Sequence, residues 1–307
     1  MSKNRQVREQ NTMSLNVGII GLGIMGGAFA KNLIDAGLKV SGFDIVEANI
    51  EALVQLGGSS AKSPKAAIED AQVVITSLPS EAAFEQVVNG ANSLMSANKD
   101  GLIVIETSTL PIEVKTGARD NLARGGTILL DCPISGTGAQ AVDRDLAVYG
   151  SGDKDAFDAC QAVFDGIARA SYYVGEFGNG SRMKYVANLL VHIHNVATAE
   201  ALVLGMKAGL DPQLIYDVIK DGAGNSRIFE LRGPMMVAND YDRATMKMDV
   251  WQKDIGVIAE FASRLDCPTP LFSTSTDFYR SAMSQGMGKM DTAAVCRILE
   301  QFADHKR

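Results

Sequence analysis

Three glycines spaced Gly21-x-Gly23-x-x-Gly26 follow an apolar run, residues 15–20, and open a stretch with helical periodicity. That spacing suits a tight turn at Gly21, close approach of a pyrophosphate to the backbone at Gly23, and close helix–strand packing at Gly26. Leu22, Ile24 and Met25 lie in the same turn, where the unpaired N–H groups of a helix start offer positive potential to phosphates. Asp44 stands 18 residues beyond Gly26, at the end of the next apolar run. A carboxylate there accepts hydrogen bonds from the adenosine ribose hydroxyls of a dinucleotide. Ile45 and Val46 follow, with no arginine to pair with a 2′-phosphate, so NAD is favoured over NADP. Bare GxGxxG matches also occur in ordinary glycine turns, and Asp44 could simply end a strand at a solvated loop.

A second chemistry-bearing pattern lies at Lys184 and Asn188, four residues apart and therefore on one face of a helix. Val191 and Asn195 continue the stripe. An amine and two amides on one face of an otherwise apolar helix are costly unless they meet a polar ligand or one another. Equally, the lysine could snorkel to solvent while Asn188 caps buried backbone. Metal chemistry finds little support. The chain has three histidines, of which His192 and His194 are two apart and point to different sides of a helix. Its four cysteines are widely separated, with no CxxC pair.

These residues need elements to hold them. Apolar runs at residues 15–20, 38–44, 72–78, 101–106 and 126–131 alternate with helix-length segments, which implies βαβ units and a parallel sheet. Residues 145–150 and 171–174 are two further strand-like runs, expected to extend that sheet at one edge. After Gly180 the period becomes helical, in segments 183–209, 211–220, 226–238, 251–265, 270–283 and 292–302, with glycine and proline between them. The expected organisation is an α/β domain over residues 15–177 and an all-α domain over 178–307, joined by a long interdomain helix. Residues 1–14 are polar and basic without an apolar signal core, and are expected to be a disordered tail.

Composition narrows the partners. Hydrophobic residues make up 46% of the 307 and charged residues 21%, ordinary values for a globular chain. A formal charge of −7 argues against nucleic acid or an anionic membrane as the main partner. The longest apolar tract, roughly residues 180–209, carries Lys184, Asn188, His192, His194, Asn195 and Glu200, which reads as a buried helix, not a membrane span. Scattered reduced thiols fit a cytoplasmic location.

From Asn16 to Phe302 the chain resembles the β-hydroxyacid dehydrogenases, the family containing 3-hydroxyisobutyrate dehydrogenase and 2-hydroxy-3-oxopropionate reductase. Four segments carry the resemblance, in the family's order: GLGIMGGAFAKNLIDAGLKV (21–40), DCPISGTGAQA (131–141), GNGSRMKYVANL (178–189) and WQKDIGVIAEFA (251–262). The resemblance implies a Rossmann-type domain followed by a helical one, and hydride transfer between a nicotinamide and a small β-hydroxy acid or the matching semialdehyde.

It also implies roles for particular residues. Lys184 becomes the acid/base, its proton affinity lowered by burial and by nearby positive charge from Lys253 and the oxidised nicotinamide. Asn188 orients the substrate, and Ser135, Gly136 and Thr137 offer donors to its carboxylate. Thr137 replaces the family's second glycine, which leaves the substrate open; ordinary turn chemistry is the alternative reading of Ser135 and Thr137. Leu78 and Pro79 flank the cofactor, Thr109 lies near the nicotinamide ribose unless it caps the helix beginning at Pro111, and Lys253 approaches cofactor and substrate. Asp254 anchors Lys253 or the domain interface, although a helical Lys–Asp pair is often only a solvated face. Arg227 and Arg232 are further cations that a larger anionic substrate could use. Family members assemble, so a homodimer or homotetramer is expected. The competing readings are an imine reductase-like enzyme, against which Lys184 and Asn188 argue, and a non-catalytic dinucleotide-binding regulator.

Overall fold

The computed structural model describes residues 15–307; the expected tail, residues 1–14, lies outside them. The chain divides into two compact units, one ending at Lys184 and the other spanning Tyr185–Arg307.

In the first unit, strands β1 (Asn16–Ile20), β2 (Lys39–Phe43), β3 (Ser59–Ser60), β4 (Val73–Thr76), β5 (Ile103–Glu106) and β6 (Ile128–Asp131) form one parallel sheet. Its order is β3-β2-β1-β4-β5-β6. Helices α1 (Ile24–Asp35), α2 (Glu47–Gln55), α3 (Pro64–Ala67), α4 (Glu81–Asn89), α5 (Leu94–Ala97) and α6 (Ile112–Ala123) connect the strands. Val17 and Ile19 pack with Phe29 and Leu33 of α1, while Ile20 joins Val74, Phe84 and Leu122 in a second cluster. Apolar layers on both faces explain why β1 and β4 read as continuous hydrophobic runs. The winding reverses at β1, and an open sheet of this kind binds its ligand beyond the carboxyl ends of the strands at that reversal.

The expected extension of this sheet does not occur. Strand β8 (Ala147–Gly150) and strand β9 (Ala170–Tyr173) pair in parallel, and β7 (Ile134–Ser135) runs antiparallel to β8 in a separate three-stranded sheet. Pro133 follows β6 and has no N–H for a ladder. One bridge, Asp131 to Ser151, joins the two sheets. Helices α7 (Gly138–Val142), α8 (Lys154–Ala159) and α9 (Gln161–Ile167) complete this unit. Strand β3 escapes sequence patterning because it is two exposed serines at the sheet edge.

Helix α10 (Asn179–Lys207) starts in the first unit and continues into the second, followed by α11 (Pro212–Ile219), α12 (Arg227–Ala238), α13 (Met248–Arg264), α14 (Pro270–Ser284) and α15 (Val295–Phe302). Local chemistry sets several boundaries. Asp211 and Ser226 cap α11 and α12 by accepting the N–H groups of Leu214 and Phe229 at 3.0 Å, and Pro212 fills the first turn of α11.

The first half of helix α10 departs from the usual pattern: Ser181, Lys184, Asn188, His192 and Asn195 are buried, whereas Met183, Val186 and Leu190 are exposed. Further along the helix, Leu202, Val203 and Met206 are buried in the ordinary way. Its length and composition would suit a membrane span. Instead, much of its polar row meets protein partners. His192 Nδ1 accepts from Trp251 Nε1 at 3.1 Å, and its Nε2 lies 3.2 Å from Thr276 Oγ1. Burial lowers the His192 pKa to about 3, so the ring is neutral. Asn195 does not continue a ligand-facing stripe: its amide donates to Tyr279 Oη and the Thr292 carbonyl, both at 2.9 Å, and so ties the second unit's helices together.

Candidate active site

The glycine turn has different needs at each position. Gly21 has φ +90, and a Cβ there would collide with the Ser77 carbonyl; at Gly26 it would collide with the Gly21 carbonyl. At Gly23 a Cβ would meet nothing within 4 Å. Protein packing therefore explains two of the glycines, and the third borders open space, as a phosphate-approach position requires. Helix α1 has no side-chain cap at Gly23, so its first turn suits a phosphate acceptor. Asp44 is fixed beside this turn, accepting from the N–H of Leu22 at 2.6 Å and of Val46 at 2.8 Å. Each carboxylate oxygen can still accept a second donor. Ile24 and Ile45 stand 77% and 92% exposed, leaving apolar surface at the glycine turn and just beyond Asp44. The residues present fit a dinucleotide.

Beyond β4 and β5, the N–H of Leu78 donates to Ser108 Oγ at 2.8 Å. That bond links the Leu78-Pro79 segment to the segment carrying Thr109. Thr109 does not cap α6; Pro111 occupies the cap position. Beneath these segments lies a network that sequence reading missed. Lys115 of α6 is fully buried and donates to the Ser108 carbonyl at 2.7 Å and to Asp131 Oδ1 at 2.8 Å, with Glu106 3.9 Å away. Glu106 accepts from Ser108 N–H at 2.6 Å and pairs with the Thr76 hydroxyl. Burial pushes the Glu106 carboxyl above the usual carboxylate range, and neighbouring Lys115 opposes this only in part. A helical lysine is normally a surface residue. The available signals were two acidic residues closing consecutive apolar strands.

The 135–138 loop is packed against the cofactor turn. Gly136 has φ +136 and sits under Leu146, and a Cβ on Gly138 would meet Ile24. Asn32 of α1 donates to the Ala141 carbonyl at 2.8 Å, holding α7 in place. Thr137 takes up a helix-start role: its N–H donates to Gln140 Oε1 at 3.1 Å. Ser135 ends β7, half-buried.

The segment that carries Lys184 is docked onto the end of β6. A Cβ on Gly180 would collide with the carbonyls of Asp131 and Tyr149, which explains that glycine by close approach. The N–H of Gly180 donates to Ser151 Oγ at 2.9 Å. Ser181 donates twice to Asp131, from its N–H and from its hydroxyl, each at 2.8 Å. Lys184 follows one turn later, 8% exposed. In the second unit, Asn188 Nδ2 donates to Asp254 Oδ2 at 2.8 Å, and Lys253 Nζ lies 3.7 Å from the other Asp254 oxygen. Asp254 thus fixes both an amide and a lysine.

Arg227 pairs on the surface with Glu230, and Arg232 is buried against Asp291. Neither is held ready for a substrate. A cavity of about 400 Å³ between α13 and α14, lined by residues such as Cys267, Phe272 and Thr276, contains none of the expected site residues.

A parallel sheet that reverses at a glycine turn, an acid at the end of β2 and a buried lysine one turn beyond a segment docked on β6 define a nicotinamide-dependent oxidoreductase. Residues 16–175 match the NAD binding domain of 6-phosphogluconate dehydrogenase, and residues 178–299 match the NAD-binding family of NADP-dependent 3-hydroxyisobutyrate dehydrogenase. The chain belongs to the β-hydroxyacid dehydrogenase family and acts on a CH–OH group with NAD(P). It is 34% identical over 287 residues to L-threonate dehydrogenase of Cupriavidus necator, covering 93% of this chain and 96% of that one. It is 30% identical over 289 residues to 2-(hydroxymethyl)glutarate dehydrogenase of Eubacterium barkeri, with 94% and 96% covered. The crystal structure of 3-hydroxyisobutyrate dehydrogenase from Salmonella typhimurium superposes with a TM-score of 0.83 at 31% identity, covering 92% of this chain and 99% of that one.

Proposed function

We propose that this enzyme oxidises a small hydroxy acid, or reduces the matching carbonyl compound, with Lys184 exchanging the proton on the reacting oxygen. The observation that carries the reading is a buried lysine on a helix whose first turn is bonded to the carboxyl end of the cofactor-binding sheet. In oxidation the bound nicotinamide supplies the hydride acceptor. Lys184 in its amine form takes the hydroxyl proton as the carbinol hydrogen leaves with its electron pair, so the products are a carbonyl, the reduced cofactor and a Lys184 ammonium. Reduction returns that proton. Asn188, one turn further along the same helix, orients the substrate and is itself oriented by Asp254. Lys253, paired to the same Asp254, adds positive potential for the substrate carboxylate and the cofactor. Ser135 and Gly136 supply the remaining donors; the Thr137 N–H is already given to Gln140.

The cofactor reading is NAD in preference to NADP. Asp44 is held beside the glycine turn, where its charge repels a 2′-phosphate. The substrate class is a small hydroxy acid, with L-threonate placed first because relatives at 34% identity are named for it. Absorbance of the reduced cofactor, followed with L-threonate, 3-hydroxyisobutyrate and related acids against NAD and NADP, tests both readings. Silence across the panel despite cofactor binding overturns the substrate class, and faster turnover with NADP overturns the role of Asp44.

Assembly is part of the same reading. Val186, Leu190 and Leu204 of α10, with Leu214 and Val218 of α11, leave apolar side chains exposed in the second unit. Such surface is characteristic of a protein contact, and a second copy of this chain covers it. Light scattering at micromolar concentration tests this, and a monomer would contradict it.

A further inference from the structure

We propose that Asp131 is a positioning residue for Lys184: anchored by Lys115 at the end of β6, its carboxylate holds the first turn of α10 through Ser181 and so sets where Lys184 stands. This rests on Lys184 being the proton-exchanging group.

Five observations converge on it. Asp131 and Lys115 have fully buried side chains and are joined at 2.8 Å, so the carboxylate is oriented by a fixed cation instead of by water. Both Asp131 oxygens are used on α10: Oδ2 takes the Ser181 N–H and Oδ1 the Ser181 hydroxyl, each at 2.8 Å. Ser181 and Lys184 are three residues apart, so the clamp and the amine share one helix face. Ser151 repeats the grip one residue earlier, accepting the Gly180 N–H while its hydroxyl donates to the Asp131 carbonyl at 3.1 Å. Lys115 also binds the Ser108 carbonyl, and Ser108 Oγ holds the N–H of Leu78. One buried ammonium therefore ties the cofactor-flanking segments and the start of the catalytic helix to a common point. A displacement of about 1 Å at a reacting group costs as much as a hundredfold in rate, so such a clamp acts on turnover without touching substrate.

The test is a double-mutant cycle on the full-length enzyme, with Ser181→Ala as the mild variant and Asp131→Asn as the severe one. Ser181→Ala removes one hydroxyl and keeps the N–H bond. We expect kcat to fall about tenfold in Ser181→Ala and about a hundredfold in Asp131→Asn. The cofactor Kd and the melting temperature of Ser181→Ala stay close to wild type. In a Lys184→Ala background Ser181→Ala should add no further loss, because its effect passes through Lys184. Two results overturn the inference: a lowered melting temperature with unchanged kcat, or a Ser181→Ala loss that multiplies that of Lys184→Ala. Unchanged turnover in Lys184→Ala alone identifies a different failure, that of the proton-exchange role. If Asp131→Asn does not fold, Ser181→Ala decides by itself.

Discussion

Asp131 in the first unit and Asp291 in the second are built alike. Both are fully buried, both lie against a buried cation, and both accept backbone N–H groups at the start of a helical segment. They differ in what they hold. Asp291 accepts the N–H groups of Thr245 at 2.7 Å, Met246 at 3.1 Å and Ala293 at 2.9 Å, so with Arg232 it closes a loop. Asp131 grips the turn that precedes Lys184 and shares its lysine with the strand-end segment at Ser108. A buried carboxylate–cation pair is a clamp wherever it occurs, and breaking it leaves an uncompensated charge. Only the attached segment decides whether that loss is felt in rate as well as in stability.

The comparison can be pressed experimentally. Lys184→Ala should give the largest effect, a fall in kcat of about 10³-fold with cofactor binding intact, read by steady-state kinetics and fluorescence titration. Next come Lys115→Met and Arg232→Met, each expected to lose about 3–5 kcal/mol in chemical denaturation. Turnover of the folded fraction should fall for Lys115→Met and hold for Arg232→Met; equal kcat in the two would erase the distinction. Asp44→Ala removes an acid that is only half-buried and faces the glycine turn. It should weaken NAD about tenfold, or ~1.4 kcal/mol, and relax discrimination against NADP.

The smallest effect is expected from Glu106→Gln, which can keep both neighbouring hydrogen bonds. Burial raises the Glu106 carboxyl above its unfolded value, so the native state holds the proton more tightly. The stability this contributes is complete below the unfolded pKa and is lost as pH rises through the folded one. Melting curves across that window should therefore be flatter for Glu106→Gln than for wild type. An identical pH dependence would show that Glu106 does not titrate there.

Elements and local motifs are legible in the sequence. The glycine spacing, the acid after β2, the helical second half and the Lys184–Asn188 pair all follow from near neighbours along the chain. Strand-like runs 145–150 and 171–174 were also legible as strands, but not as members of a second sheet. A run of apolar residues records that it is buried and extended, not which edge it pairs with. Thr109 and Thr137 show the same limit at single-residue scale: both fall in recognisable motifs, yet backbone geometry gives the first no capping role and turns the second's N–H towards Gln140.

The amino-acid order by itself determined the period of each segment, the turns that end it and the glycine spacing that suits a dinucleotide. Those properties depend on residues within a turn or two of each other, where backbone sterics and side-chain spacing act directly. Tertiary structure alone decided that Lys115 lies under the sheet with Asp131, that Asp131 holds Ser181 across 50 positions, and that Asn188 meets Asp254 across 66. It also decided that the first half of α10 buries Ser181, Lys184, Asn188, His192 and Asn195 while Met183, Val186 and Leu190 stay exposed. A buried charge is tolerable only if its partner is brought to it, and which partner arrives is set by the packing of whole elements, which no local window contains.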